Sequence, residues 1–175
     1  MSTAQPGASR LAPADVEGWL GELGLHTTPR VDRERVSAWD LELDGRRRFD
    51  VPVTLILDPD LALIVWVHFA PPIGDGFRKS YRMLLRWNDE FPFAKFALGE
   101  DGRPVLMTEL SIGRIDRDEL GLAIARLLAI CDQLLEESAS WLWIGGRIPD
   151  QGERVSRQVG LFARYAEALT DLVAP

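Results

Sequence analysis

Apolar residues change their spacing along this chain, and the changes mark out its elements. Val16, Trp19, Leu20 and Leu23 recur at helical intervals after Pro13, which suits a first helical turn, and Gly24 follows as a terminator. This predicts a helix over residues 14–23. From Trp39 the period drops to two. Trp39, Leu41 and Leu43 alternate with Asp40 and Glu42 up to Asp44-Gly45, a tight-turn signal, and Phe49, Val51, Val53, Leu55 and Leu57 resume the alternation beyond it. A second turn at Asp58-Pro59-Asp60 leads into an apolar run from Leu61 to Phe69. Three strands in a meander are expected, with Pro52 needing an edge or a bulge because it has no N–H for a ladder.

Helical spacing then returns. Asp75 is placed to cap a helix over residues 76–87, with Phe77, Tyr81, Leu84 and Asn88 on one stripe, and Phe91-Pro92 stops it. Residues 93–98 and 103–110 form a hairpin around Glu100-Asp101-Gly102, after which Asp116 and Glu119 open a long helix. Its main stripe is Leu120, Ile124, Leu127, Leu128, Cys131, Leu134 and Leu135. Leu122, Ala125, Ala129 and Ile130 lie off that stripe, so its middle should be covered on more than one side. A last helix over residues 153–173 can supply the cover, because Val155, Val159, Phe162, Ala166, Leu169 and Val173 step by four and three.

This order predicts an α+β fold, an antiparallel sheet with helices packed on it plus an extra C-terminal helix. Residues 1–12, rich in Ser, Ala, Gly and Pro, read as a flexible tail, residues 13–144 as the domain, and residues 145–175 as a linker and the C-terminal helix. With 175 residues, 46% of them hydrophobic, the chain has enough apolar surface for one ordinary core. A formal charge of -7 disfavours nucleic acid and anionic membrane surfaces as partners. Cys131 is the only cysteine and falls on the apolar stripe, which fits a reducing compartment. The start MSTAQPGASRLAPAD has neither the charged beginning nor the apolar run of a signal peptide, and no stretch is long enough to span a bilayer, so a cytoplasmic location is expected.

Candidate chemistry is sparse. The two histidines, His26 and His68, have no further ligand at metal-binding spacing, so neither a metal nor another cofactor is expected. Ser111-Ile112-Gly113 lacks the first glycine of a nucleophile elbow, and the glycines at 74, 76, 145 and 146 lack the residues that complete a phosphate loop. Asp89-Glu90 and Glu136-Glu137 read as solvated pairs, and Arg46-Arg47-Arg48 as charges that keep a hairpin tip soluble. No catalytic residue is assigned, and the chain reads as a non-enzyme.

The apolar surplus is more informative. Ile56, Ile64, Trp66 and His68 share one sheet face, opposite the odd-numbered residues, and they form an interface patch unless a helix lies over them. Trp141 and Trp143 are a second candidate anchor pair, with packing under the last helix as the alternative.

The helix end Leu85-Arg86-Trp87-Asn88, the strand Lys95-Phe96-Ala97-Leu98, the Asp101-Gly102 corner, the strand Val105-Leu106-Met107 and the helix begun by Asp116 together resemble the YbjN family. The order α-β-β-β-α-β-β-α is similar to the type III secretion chaperone fold, which that family shares, over about residues 14–137. The resemblance implies a small non-enzymatic protein, a homodimer or partner-bound subunit, that binds another protein or an extended peptide segment in a chaperone-like or regulatory role. A second reading is a regulator whose cavity between sheet and helices takes a small apolar ligand, with Phe77, Tyr81 and Trp87 near its opening.

Overall fold

The computed structural model describes residues 11–73 and 78–172. The expected cap Asp75 and the stripe residue Phe77 lie outside the described residues, as do Val173 and most of the expected N-terminal tail. The chain opens with helix α1 (Pro13–Glu22), led by Pro13 and with Asp15 reaching back to the Ala12 amide at 2.9 Å. A six-stranded antiparallel sheet follows, built from β1 (Val31–Arg33), β2 (Val36–Leu43), β3 (Val51–Asp58), β4 (Ala62–His68), β5 (Lys95–Leu98) and β6 (Pro104–Ser111). Its strand order is β1-β2-β3-β4-β6-β5. Helix α2 (Arg78–Glu90) connects β4 to β5, and α3 (Arg117–Gln133), α4 (Leu135–Leu142) and α5 (Val159–Arg164) follow the sheet. The α+β class and the helix-meander-helix-hairpin-helix order are as expected, with β1 as an added edge strand.

Period-two burial builds the core. Trp39, Leu41, Leu43, Val53, Leu55, Leu57, Leu63, Val65 and Val67 all point to one face and are fully buried there with Leu20, Ile124 and Leu128 from the helices. Each such side chain contributes about 1.5–3 kcal/mol by leaving water. The α3 stripe holds, and Ala125, Ala129 and Ile130 off the stripe are buried as well. Asp116 caps this helix by accepting from the Glu119 N–H at 2.8 Å. Pro52 avoids a lost ladder bond because the last β3–β4 pair is Val53 with Val67, one residue away.

Three expectations need correction. The long helix does not run on through Leu135; it breaks at Leu134, whose φ of -89° and ψ of 8° leave the helical region, and α4 continues from Leu135 with both residues still buried. The tight turn at Asp44-Gly45 is instead a loop spanning residues 44–50, with Leu43 paired to Val51 across its base. The C-terminal helix does not start at Glu153. Among the described residues from Glu153 on, only α5 and a 3₁₀ segment, Glu167–Leu172, are helical; Phe162 and Leu169 are buried, whereas Val155 and Val159 are 73% and 61% exposed. The reason is tertiary: residues 154–158 are bound to the 44–50 loop by side-chain hydrogen bonds, and these override helix propensity.

Candidate functional site

The sheet has a second face, made by residues of opposite parity. Strand register sets them in rows: Val31, Ala38, Ile56, Ile64 and Glu109 across one line, and Asp40, Thr54, Trp66, Met107 and Lys95 across the next. Ile56, Ile64, Trp66 and Met107 are half-buried and lie outside the apolar core, so they cover one another without being sealed. The four residues assigned to this face from sequence, Ile56, Ile64, Trp66 and His68, are therefore neighbours on it. A cleft of about 340 Å³ opens beside them, lined by Val31, Val36, Ala38, Asp40, Thr54 and Ile56.

His68 ends a hydrogen-bonded line across three strands. Thr54 Oγ1 donates to Asp40 Oδ1 at 2.7 Å, and His68 Nε2 lies 3.0 Å from the same hydroxyl. A carboxylate only accepts, so the hydroxyl's single proton is committed to Asp40 and His68 must donate from Nε2. That arrangement is the reverse of a nucleophile activated by a base, in which the hydroxyl would give its proton to the imidazole. Burial lowers the His68 pKa below its ordinary value, and the Arg103 charge adds to the effect while Asp40 and Asp101 oppose it.

Trp141 and Trp143 are parted. Trp141 packs on Trp87 with ring centroids 5.4 Å apart and on Phe69 at 6.3 Å, joining an aromatic cluster completed by Phe96. Trp143 has left that cluster and lines a cleft of about 290 Å³ with Arg47, Arg48, Phe49, Leu142, Ile148 and Gln151. Trp87, expected at a cavity mouth, is fully buried in the cluster, and Tyr81 is half-buried.

The strongest polar constellation was not legible as a site. Asp44 is 0% exposed, and its carboxylate takes Arg157 Nε at 2.8 Å, Arg157 Nη2 at 2.7 Å, the Arg157 amide at 3.0 Å and the Asp50 amide at 3.0 Å. Burial alone would raise its pKa, but the Arg157 side chain and the two amides outweigh it and hold the carboxyl well below the usual carboxylate range. Arg154 and Arg157 also pair with Asp50, whose φ of 55° is left-handed. Next to this, Asp132 accepts the consecutive amides of Arg46, Arg47 and Arg48 at 2.6, 2.9 and 2.8 Å. Burial raises the Asp132 pKa, with the three amides pulling against it. The triple arginine is split: the side chains of Arg46 and Arg47 are exposed, as expected of a solvated tip, but Arg48 is buried, and the backbone of all three forms an anion nest already filled from α3. The only signals in the sequence were an acidic residue before a glycine and an acid on an apolar helix.

Among the described residues no group of His, Cys, Asp and Glu is placed to hold a metal ion, and no helix is long and apolar enough to cross a membrane. No curated protein matches the chain. A family model does: YbjN, described as "Putative bacterial sensory transduction regulator", matches residues 12–139, which run from the start of α1 into α4 and include the whole sheet. The chain therefore belongs to the YbjN family.

Proposed function

We propose that this protein is a regulatory adaptor that binds another polypeptide on the open face of its sheet, centred on Ile56, Ile64 and Trp66. The observation that carries the reading is the contiguous row of half-buried apolar residues outside the core, with Met107 extending it and Asp40, His68, Glu109 and Lys95 around it. An apolar centre with a polar rim is the usual anatomy of a protein interface.

The edges of the sheet are poorer docking places. On β5 the Asn88 side chain occupies the outward backbone groups of Phe96, its Nδ2 donating to the Phe96 carbonyl at 3.1 Å while its Oδ1 accepts the Phe96 N–H. At the other edge β1 is only Val31–Arg33 and runs into the charges of Glu34 and Arg35, a short strand of the kind that discourages edge pairing. The face is left for a partner, and the simplest one is a second copy meeting it about a two-fold axis.

Sedimentation velocity over a concentration series, for the wild type and Trp66→Ala, tests this. The reading expects association that the variant weakens by about tenfold or more while its circular dichroism stays native. If Trp66→Ala unfolds the chain, Trp66 serves the fold and the reading fails. If the wild type stays monomeric, a photo-crosslinking residue at Glu109 must capture a different polypeptide, and finding no adduct overturns the reading as well.

A further inference from the structure

The outer face of α2 is basic on an acidic chain. Arg78, Lys79, Arg82 and Arg86 are all exposed on it, while the chain as a whole carries a formal charge of -7. Arg86 is paired with Glu137 at 2.6 Å, but among the described residues no carboxylate pairs with Arg78, Lys79 or Arg82. Leu85 stands among them, 70% exposed. At helical spacing Arg78, Arg82, Leu85 and Asp89 form one line with Lys79 and Arg86 beside it, and Leu84 and Trp87 hold the opposite side in the core.

These charges do not serve the helix. Arg82 has like charges four residues away on both sides, Arg78 and Arg86, and a third, Lys79, three residues away, and such neighbours repel one another. The first turn holds no acid and the last no base, the reverse of what the helix dipole favours: Arg78 and Lys79 lie toward its positive end, Asp89 and Glu90 at its negative end. Cations kept where they weaken their own element mark a surface held for something that binds them.

We propose that the outer face of α2 docks a short acidic segment of another polypeptide, its carboxylates on Arg78, Lys79 and Arg82 and an apolar side chain on Leu85. From Arg78 to Arg86 the patch spans about 12 Å, room for a few extended residues or about two turns of helix. A nucleic acid or an anionic bilayer reaches past such a patch to the acidic remainder of the chain, which repels it. A second copy offers from its own α2 only Asp89 and Glu90 against four bases. None of these residues belongs to the open face of the sheet, so the site stands or falls independently of that face.

The test is fluorescence anisotropy of a fluorescein-labelled peptide of repeating Leu-Glu-Glu, beside its Leu-Gln-Gln counterpart, titrated with the full chain at about 50 mM salt, where exposed charges are lightly screened. The acidic peptide should bind with a Kd below about 1 mM and the neutral one at least about tenfold more weakly. The triple variant Arg78→Gln, Lys79→Gln, Arg82→Gln should weaken the acidic peptide by a similar factor, while its Tm stays level or rises because the repulsion is gone. A fall in Tm would show that the charges serve the fold, and it overturns the proposal. So do an absence of binding, equal binding of the two peptides, and binding that the variant leaves unchanged. Binding of phosphatidylserine vesicles or a DNA duplex without binding of the peptide, or self-association lost in the variant with no peptide bound, assigns the face to another occupant and overturns it as well.

Discussion

Arg157 grips Asp44 with a two-pronged fork, Nε on one carboxylate oxygen at 2.8 Å and Nη2 on the other at 2.7 Å, and Asp44 is wholly buried beneath it. This contact ties the segment after the matched family region to the loop between β2 and β3. Asp44→Ala would leave two amides without their acceptor and strip Arg157 of its fork, with Asp50 as the remaining partner of both arginines, and a loss of about 3 kcal/mol is expected, the low end for a broken buried pair because Arg157 is partly exposed. Urea denaturation measures the loss, and hydrogen exchange should quicken in residues 153–172. The same carboxyl sets an acid limit. Its pKa is lowered on folding from 3.8, so its contribution is full above 3.8 and is lost as pH falls below that value.

Gly45 is the partner of a close approach. A Cβ there would come within 2.8 Å of Asp132 Cγ, and Asp132 is held in place by three amides. Gly45→Ala should therefore cost about 1–3 kcal/mol, read as a fall in Tm. In an Asp132→Ala background the same substitution should cost less, and a double-mutant cycle reports the difference. Additive effects would show that the clash is not with Asp132.

The two sheet-and-cluster tryptophans should separate cleanly. Trp87 is fully buried between Phe69, Phe96 and Trp141, so Trp87→Ala should lower stability by about 3–5 kcal/mol. Trp66 is half-buried outside the core, and Trp66→Ala in the monomer should cost about 1 kcal/mol. Chemical denaturation of dilute samples compares them directly.

His68 makes stability depend on pH near neutrality. Its pKa is lowered on folding from 6.5, so the unfolded chain takes up the proton first. The stability contributed by neutral His68 is present above 6.5 and declines as pH falls below it. Tm measured between about pH 5 and 8 should drop on the acid side more for the wild type than for His68→Gln, which cannot titrate. Parallel curves would remove His68 as the cause.

Where one local rule governs, the sequence was readable. Alternation from Trp39 to Leu57 placed β2 and β3 and their shared inner face, and Asp116 with Glu119 marked the start of α3. The parity that sent Leu55 and Val65 inward also sent Ile56, Ile64 and Trp66 outward, so the open face could be read from the same pattern. What was hidden depends on partners far along the chain. Nothing near Asp44 announces that Arg157 will reach it, nothing near Arg46 announces Asp132, and the regular steps from Val155 to Leu169 describe a helix that those distant bonds prevent. Leu61 shows the same limit on a small scale: it continues the strand alternation, yet it is 70% exposed because its amide turns back to the Asp58 carbonyl. Trp141 and Trp143, two residues apart, were read together and part company because α4 ends between them.

The side-chain amide of Asn88 covers one margin of the sheet. By standing where the next strand would lie, it halts lateral growth at that margin, since an incoming chain would have to displace two hydrogen bonds before it could form its own. Losing that one side chain would bare the Phe96 amide and carbonyl and open the β5 edge to strand pairing.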